Sequence, residues 1–293
     1  MSRIDKGLYW DRGVMLVEGC TPVSESGEGQ DFSKVSFHID RLWRSAKHRT
    51  PQRIAIRNDL FHEAIQLGSI DDALGIVARN QQHQFLVSTK HAKPMFDYLS
   101  VTDRDCPPHF MEVLSKWTTE ECVLAGADME TDPPWPLPNL WLGVTAENQR
   151  WADERIPYLL RTPAAVRYVS VEPMLGPVDL SIQLDYRAYT CTAGEEANEC
   201  ICGLCSYYSK AQGNIDLVII GCESNGAHLG RMGEFGSWEE WLNACYELIN
   251  QCVNAGVKVF VKQIPRFTYG KWRLSKDMAE WPAWARRREL PKP

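Results

Sequence analysis

Seven short apolar runs recur along the chain, each rich in β-branched residues and each ending in polar ones. They are VMLVEG (14–19), RIAIRND (53–59), QFLVSTK (84–90), LWLGVT (140–145), VRYVSVEP (166–173), LVIIGCES (217–224) and VKVFVKQ (257–263). Each has the length of a buried parallel strand. Stretches with helical spacing lie between them. In IDDALGIVARNQQ, Ile70, Leu74, Ile76 and Val77 form an apolar stripe, and Asp71 and Asp72 suit the positive end of a first helical turn. NQRWADERIPYLLRT places Trp151, Arg155, Tyr158 and Leu159 on one side, with Pro157 expected to bend or end the helix. SWEEWLNACYELINQCVNAG carries the strongest helix signal. Ser237 is placed to cap it, Glu240 stands at its third helical position, and Gly256 is placed to end it. Cys245 and Cys252 fall on or near its apolar stripe and read as core thiols.

Strands alternating with helices predict an α/β fold with a parallel sheet and right-handed crossovers. Seven strands suit a closed or partial TIM-type barrel, with an open doubly wound sheet as the alternative. Both architectures put the functional site at the carboxyl ends of the strands. The residues delivered there are Cys20, Asn58, Asp59, Thr89, Lys90, Thr145, Glu147, Glu172, Glu223, Ser224, Lys262 and Gln263. Polar residues are common wherever a strand meets water, so the set alone specifies no chemistry. Glu172 is the most informative member. It stands between Val171 and Pro173, with Met174 and Leu175 beyond. A carboxylate in such surroundings must be paired or protonated. Lys90 and Lys262 are the candidate partners. Asn58, Asp59, Lys90, Glu147, Glu172, Glu223 and Lys262 form the candidate catalytic set.

Composition narrows the picture. A chain of 293 residues suits one barrel domain over 1–293 with insertions. A net charge of −6 argues against a surface that coats nucleic acid generally. The polar start MSRIDKGLYWDRG does not read as a secretory signal, and no apolar run reaches the roughly 18 residues of a membrane helix. A cytoplasmic location without membrane partners is therefore expected. Ten cysteines in that compartment read as core thiols, metal ligands or redox groups, not as disulfides.

Four of them crowd into CTAGEEANECICGLCSYYSK: Cys191, Cys200, Cys202 and Cys205. Cys202 and Cys205 form a C-x-x-C knuckle, and the set predicts a structural zinc site in an insertion over 185–213. Iron–sulfur ligation and free thiols are the alternatives. In GCESNGAHLGRM, Gly226 and Gly230 would let the backbone approach a ligand, and Arg231 could bind a phosphate or carboxylate. An ordinary loop with a solvated arginine explains the same residues. His62 reads equally as a base near the mouth or as a packed histidine at a helix start. The segment 264–293 is a basic, aromatic extension. Its Trp, Lys and Arg residues could stack on bases and pair phosphates, although a solvated tail docked on the barrel is the simpler expectation.

Long motifs carry a resemblance. NDLFHE, LVSTKHAKPM, PNLWLGVTAENQRWADERIPYLLRTPAAVRYVSVEPMLGPVDL, DLVIIGCESNGAHLGRM and AGVKVFVKQ run in order over most of the chain. Together they resemble a family of uncharacterised, radical-SAM-like phage and prophage proteins with a three-cysteine motif. The resemblance implies a radical-SAM-type α/β barrel, and host cytoplasm as the location of a phage-encoded protein. It implies that EGCTPVS opens a cysteine-rich loop in which three thiolates hold a [4Fe–4S] cluster, the fourth iron binding S-adenosylmethionine. It also implies an Arg in the loop that here carries Arg231, which with Cys20 makes up the candidate cofactor-binding set. Here the sequence departs from the pattern. After Cys20 comes TPVSESGEGQDFSKVSFHIDRLW, with no second or third cysteine, and one thiolate does not hold four irons. The chain is then a relative that kept the barrel without the redox chemistry, or one that draws ligands from elsewhere in the chain or from a partner protein, or the product of an altered gene.

Three function classes follow. The first is a radical-SAM-like protein acting on a nucleotide or nucleic acid. The second is a barrel hydrolase or lyase using Glu147, Glu172 and Glu223 as acid and base. The third is a non-catalytic protein that uses a zinc-stapled loop and a basic tail to hold nucleic acid or a protein partner.

Overall fold

The computed structural model describes residues 14–18, 20–23, 31–57, 59–100, 135–184, 213–225 and 228–291. Side chains are described from residue 38 onward, apart from those of residues 57 and 225. The fold is mixed α/β with a mostly parallel sheet. The chain divides into two compact units, residues 1–142 and 143–293. The division falls inside one strand, Leu140–Thr145.

In the first unit the apolar runs become β1 (Val14–Glu18), β4 (Arg53–Arg57), β5 (Gln84–Thr89) and the start of β6 (Leu140–Thr145). Strands β1, β4 and β5 pair parallel in that order, Val14 opposite Arg53 and Arg53 opposite Gln84. Helices α1 (Ile39–Ala46), α2 (Leu67–Arg79) and α3 (Ala92–Ser100) lie between and after them. The expected stripe of α2 is real: Ile70, Leu74, Ile76 and Val77 are all buried. The bare stretch after Cys20 contributes a β-hairpin that its polar composition does not announce. Strands β2 (Cys20–Val23) and β3 (Asp31–Phe37) pair antiparallel, Cys20 opposite Phe37.

His83, just before β5, is fully buried, and its ring joins α1 to the approach of β4. Its Nδ1 accepts from the Gln52 backbone N–H at 3.1 Å, so Nε2 carries the proton and donates to the Ala46 carbonyl at 2.9 Å. Burial pushes its pKa below the usual imidazole value.

The second unit holds the rest of β6, then β7 (Val166–Val171), β8 (Leu217–Gly221), β11 (Lys258–Thr268) and β12 (Lys271–Ser275), neighbours in that order. The pairs β7–β8 and β8–β11 are parallel, and β11–β12 is antiparallel. A two-stranded ribbon, β9 (Ser224–Asn225) with β10 (His228–Leu229), follows β8. Helix α4 (Gln149–Arg161) is capped by Asn148, whose side chain accepts from the Trp151 N–H. Pro157 does not end it: the helix runs on to Arg161 with Ile156, Leu159 and Leu160 buried, so packing outweighs the one backbone hydrogen bond that proline forgoes. A short α5 (Ser181–Leu184) precedes α6 (Trp238–Asn254). Ser237 caps α6 as expected, accepting from the Glu240 N–H at 3.2 Å. Gly256 adopts a left-handed φ of 71° just past its end. Cys245 and Cys252 are buried along α6.

The last segment buries an aromatic, Trp281, but is more regular than a solvated tail. Strand β11 continues through Pro265 to Thr268, turns, and returns as β12. The chain then comes back along β11 a second time: the Val261 N–H donates to the Arg287 carbonyl at 2.8 Å, and the Glu289 N–H to the Val259 carbonyl at 2.9 Å. Trp281 is buried between these passes, with its indole N–H donating to Ser275 Oγ at 3.1 Å. The sequence concealed this because the second pass, ARRREL, lacks the apolar alternation of a strand. No described helix is long and apolar enough to cross a membrane.

Two predictions test this packing. A Cβ on Gly143 of β6 would lie 2.4 Å from the buried ring of Tyr168 on β7. Gly143→Ala should therefore lower unfolding stability by about 1–3 kcal/mol, read from urea denaturation. His83 should make the protein acid-sensitive. The unfolded chain takes up the proton that the folded chain resists, so stability is full above roughly pH 6.5 and falls as pH drops below it toward the folded-state pKa. His83→Gln should flatten that part of the profile of urea midpoint against pH. An unchanged profile would show that His83 is not the group responsible.

Candidate functional site

Parallel pairing brings the carboxyl ends of β7, β8 and β11 to one edge of the second unit. Glu172, immediately after β7, is joined there by two consecutive residues of β11. Lys262 Nζ donates to Glu172 Oε1 at 2.5 Å, and Gln263 Nε2 donates to the same oxygen at 3.0 Å. The glutamate and lysine side chains are 16% and 12% exposed, so the pair is largely shielded yet still reachable. Successive residues of a regular strand point to opposite faces. Here the register of β11 against β8 jumps from Val261 opposite Ile220 to Gln263 opposite Gly221, leaving Lys262 as the extra residue. The irregularity lets both neighbours reach one carboxylate. Gln263 Nε2 also donates to the Cys222 carbonyl at 2.9 Å, which fixes the amide orientation and ties the pair to the end of β8.

The loop carrying Glu172 is held on three sides. The Met174 N–H donates to the Gly221 carbonyl at 2.9 Å, and the Leu175 N–H to the Glu147 carbonyl at 2.7 Å. The Trp241 indole of α6 donates to the Met174 carbonyl at 3.0 Å. Gly221 leaves room at this point, since a Cβ there would come within 3.1 Å of Glu172 Cγ and 3.2 Å of Gln263 Nε2.

The other carboxylates of this unit are engaged differently. Glu147 is buried against Arg155 of α4: Nη1 donates to Glu147 Oε2 at 2.8 Å and to the Thr145 carbonyl at 2.7 Å. With both side chains under a tenth exposed, this pair braces the β6–α4 connection and offers substrate no carboxylate. Glu223 takes a two-pronged grip from Arg231, with Nε and Nη2 each at 3.0 Å, and also accepts the Arg231 backbone N–H at 2.7 Å. That grip holds the Glu223 carboxyl below its usual pKa and raises that of Arg231. Arg231 is therefore engaged within its own loop. Gly230 gives its room to Glu223, since a Cβ there would meet Glu223 Cγ at 2.7 Å, and not to an approaching ligand.

In the first unit, Asp59 joins the ends of β4 and β5. It accepts from Thr89 Oγ1 and, at 2.7 Å, from the Lys90 backbone N–H. His91 Nε2 lies 3.8 Å from Asp59 Oδ2, and its ring meets that of His62 edge-on at 4.8 Å. The His62 Nδ1 accepts from the Ala64 N–H at 3.1 Å, so His62 lies beside this polar cluster and also supports its own turn. The sequence reading missed His91, whose only signal is its place directly after Thr89 and Lys90. Lys90 is exposed, and the lysine at Glu172 is Lys262.

Several candidate residues lie outside the described residues: Asn58, Gly226, Cys191, Cys200, Cys202 and Cys205. Cys20 has a described backbone but no described side chain. Among the described residues no group of three or more His, Cys, Asp and Glu side chains could hold a metal ion. Cys222, Cys245 and Cys252 are free and buried, and burial pushes their thiols well up, that of Cys252 to about 12. None of the three belongs to such a group, so the described cysteines do not assemble the set of ligands that the three-cysteine resemblance implies.

No curated protein and no solved structure matches the chain. One family model, described as a protein of unknown function (DUF5131), matches residues 14–288. That match takes in every described strand of both units and the Glu172–Lys262–Gln263 cluster, and the chain belongs to this DUF5131 family.

Proposed function

We propose that this chain is a phage-type relative of the radical-SAM-like proteins that keeps a partial α/β barrel, has given up the cluster, and works as an acid–base enzyme on a nucleotide or nucleic acid. One observation carries the reading: two donors from a strand irregularity converge on a single oxygen of a shielded glutamate. Both fall on Oε1, so Oε2 is the oxygen that takes a proton from substrate. The Lys262 ammonium pairs with the carboxylate and faces negative charge developing on the reacting group. Gln263 fixes the carboxylate plane. The motifs from NDLFHE to AGVKVFVKQ support the radical-SAM-like relation. The lack of a second and third cysteine in the stretch TPVSESGEGQDFSKVSFHIDRLW after Cys20 supports the loss of the cluster. In this reading Cys191, Cys200, Cys202 and Cys205 hold a zinc ion that staples the insertion and takes no part in the reaction.

The test is turnover of mononucleotides, dinucleotides and single-stranded oligonucleotides by the wild-type chain and by Glu172→Gln. The amide keeps the shape and still accepts from Lys262, so melting temperature should change little while turnover falls about a hundredfold or more. A variant that is folded and fully active would remove Glu172 from the reaction. Anaerobic reconstitution with iron and sulfide should give no [4Fe–4S] absorption band, and a band accompanied by S-adenosylmethionine binding would restore radical chemistry. Metal analysis should find one zinc per chain, lost in Cys202→Ser. An unchanged zinc content would dismiss the four-thiolate site.

A further inference from the structure

The turn between β11 and β12 is a two-residue loop, Tyr269–Gly270, with Thr268 opposite Lys271. Both loop residues have positive φ, 49° and 73°. That is the geometry of the tight hairpin turn whose first position ordinarily takes Asn, Asp or Gly. A tyrosine there is strained, because its Cβ crowds the backbone in the left-handed region. Its ring is 92% exposed, so burial does not offset the strain. Tyr269 does nothing for the fold that glycine would not do better.

The strands behind the turn sort their side chains by face. Phe267 and Trp272 are directly opposite on one face, their rings meeting edge-on at 5.5 Å, and Phe267 is 58% exposed. On the other face Arg266 is directly opposite Arg273, with Lys271 following at the tip. Like charges in that relation weaken a hairpin. Glu280 pairs with Arg266 at 3.0 Å, while Lys271 and Arg273 are exposed and have no ion-pair partner among the described residues. No acidic residue occurs between Gln263 and Asp277, in a chain whose net charge is −6. The hairpin therefore carries two features that cost stability, an exposed strained aromatic and a like-charge cross-strand pair. They demand the same kind of ligand: flat apolar faces on a polyanionic backbone.

We propose that the β11–β12 hairpin binds single-stranded nucleic acid, with Tyr269 at the tip stacking on a base and Lys271 and Arg273 on the face beside it pairing phosphates. Single strands fit and duplexes do not, because only unpaired bases offer their faces to a protruding ring. The hairpin residues are separate from the Glu172 cluster, and the inference stands whatever chemistry that cluster performs.

Fluorescence anisotropy of a labelled twenty-nucleotide oligothymidine with the full chain tests it. Wild-type protein should bind, and more weakly as salt rises. Tyr269→Gly should weaken binding about tenfold, the loss of one stacked base. Its melting temperature should be equal or higher, because glycine relieves the turn. That combination separates lost contact from lost fold. Arg273→Gln should reduce the slope of log affinity against log salt by about 0.7, one phosphate contact on a single strand. The proposal is overturned if oligothymidine does not bind, if a duplex of the same length binds as tightly, if polyglutamate competes as well as a second oligonucleotide, or if Tyr269→Gly binds like the wild type.

Discussion

Two adjacent residues of β11 reach one oxygen of Glu172, and that convergence depends on a single irregularity. Were β11 regular, Lys262 and Gln263 would point to opposite faces of the sheet. Either the ammonium or the amide would then be lost from the carboxylate. The register jump opposite Gly221 brings both to the same place, and the absence of a side chain at Gly221 leaves room for them. The anchors from β8, from Glu147 two residues past β6, and from α6 hold the Glu172 loop where the two donors arrive.

Among the described residues, a carboxylate–cation pair follows each of β6, β7 and β8, and burial separates their roles. Glu147 and Arg155 are 8% and 7% exposed. A pair so enclosed is hard to break and hard to reach, which suits a brace. Glu223 and Arg231 are 25% and 77% exposed, and water screens their attraction. Such a pair shapes a loop with little effect on stability. Glu172 and Lys262 lie between these extremes. They are shielded enough for charge to matter and open enough for a substrate to approach. The acid–base reading therefore falls on that pair and not on the three glutamates together.

The strands were legible because a buried parallel strand is written as a continuous β-branched run, and its end as the first polar residue. Glu172 could be singled out from its apolar flanks alone, and Lys262 was one of two named partners. The rest depended on features that leave little trace in sequence. The irregularity at Lys262 is a matter of register, which VKVFVKQ does not encode on its face. The fate of Glu147 was hidden because Arg155 stands eight residues away on a helix and reads there as one member of a mixed stripe. Arg231 looked like a ligand-binding arginine because its partner Glu223 lies across a ribbon that no periodicity predicts. Pro157 misled in the other direction, because burial of the surrounding helix outweighed its local preference.

The outer side of β11 is held twice, by β12 along Ile264–Thr268 and by the returning stretch around Arg287–Glu289 along Val259–Val261. Lys262 and Gln263 sit at the seam between these two clasps. A protease cut within residues 276–286 would leave Glu172, Lys262 and Gln263 unmodified. It would nonetheless remove the covalent link between the two clasps on either side of Lys262 and Gln263, so the surroundings of that ion pair depend on a segment that contributes no atom to it.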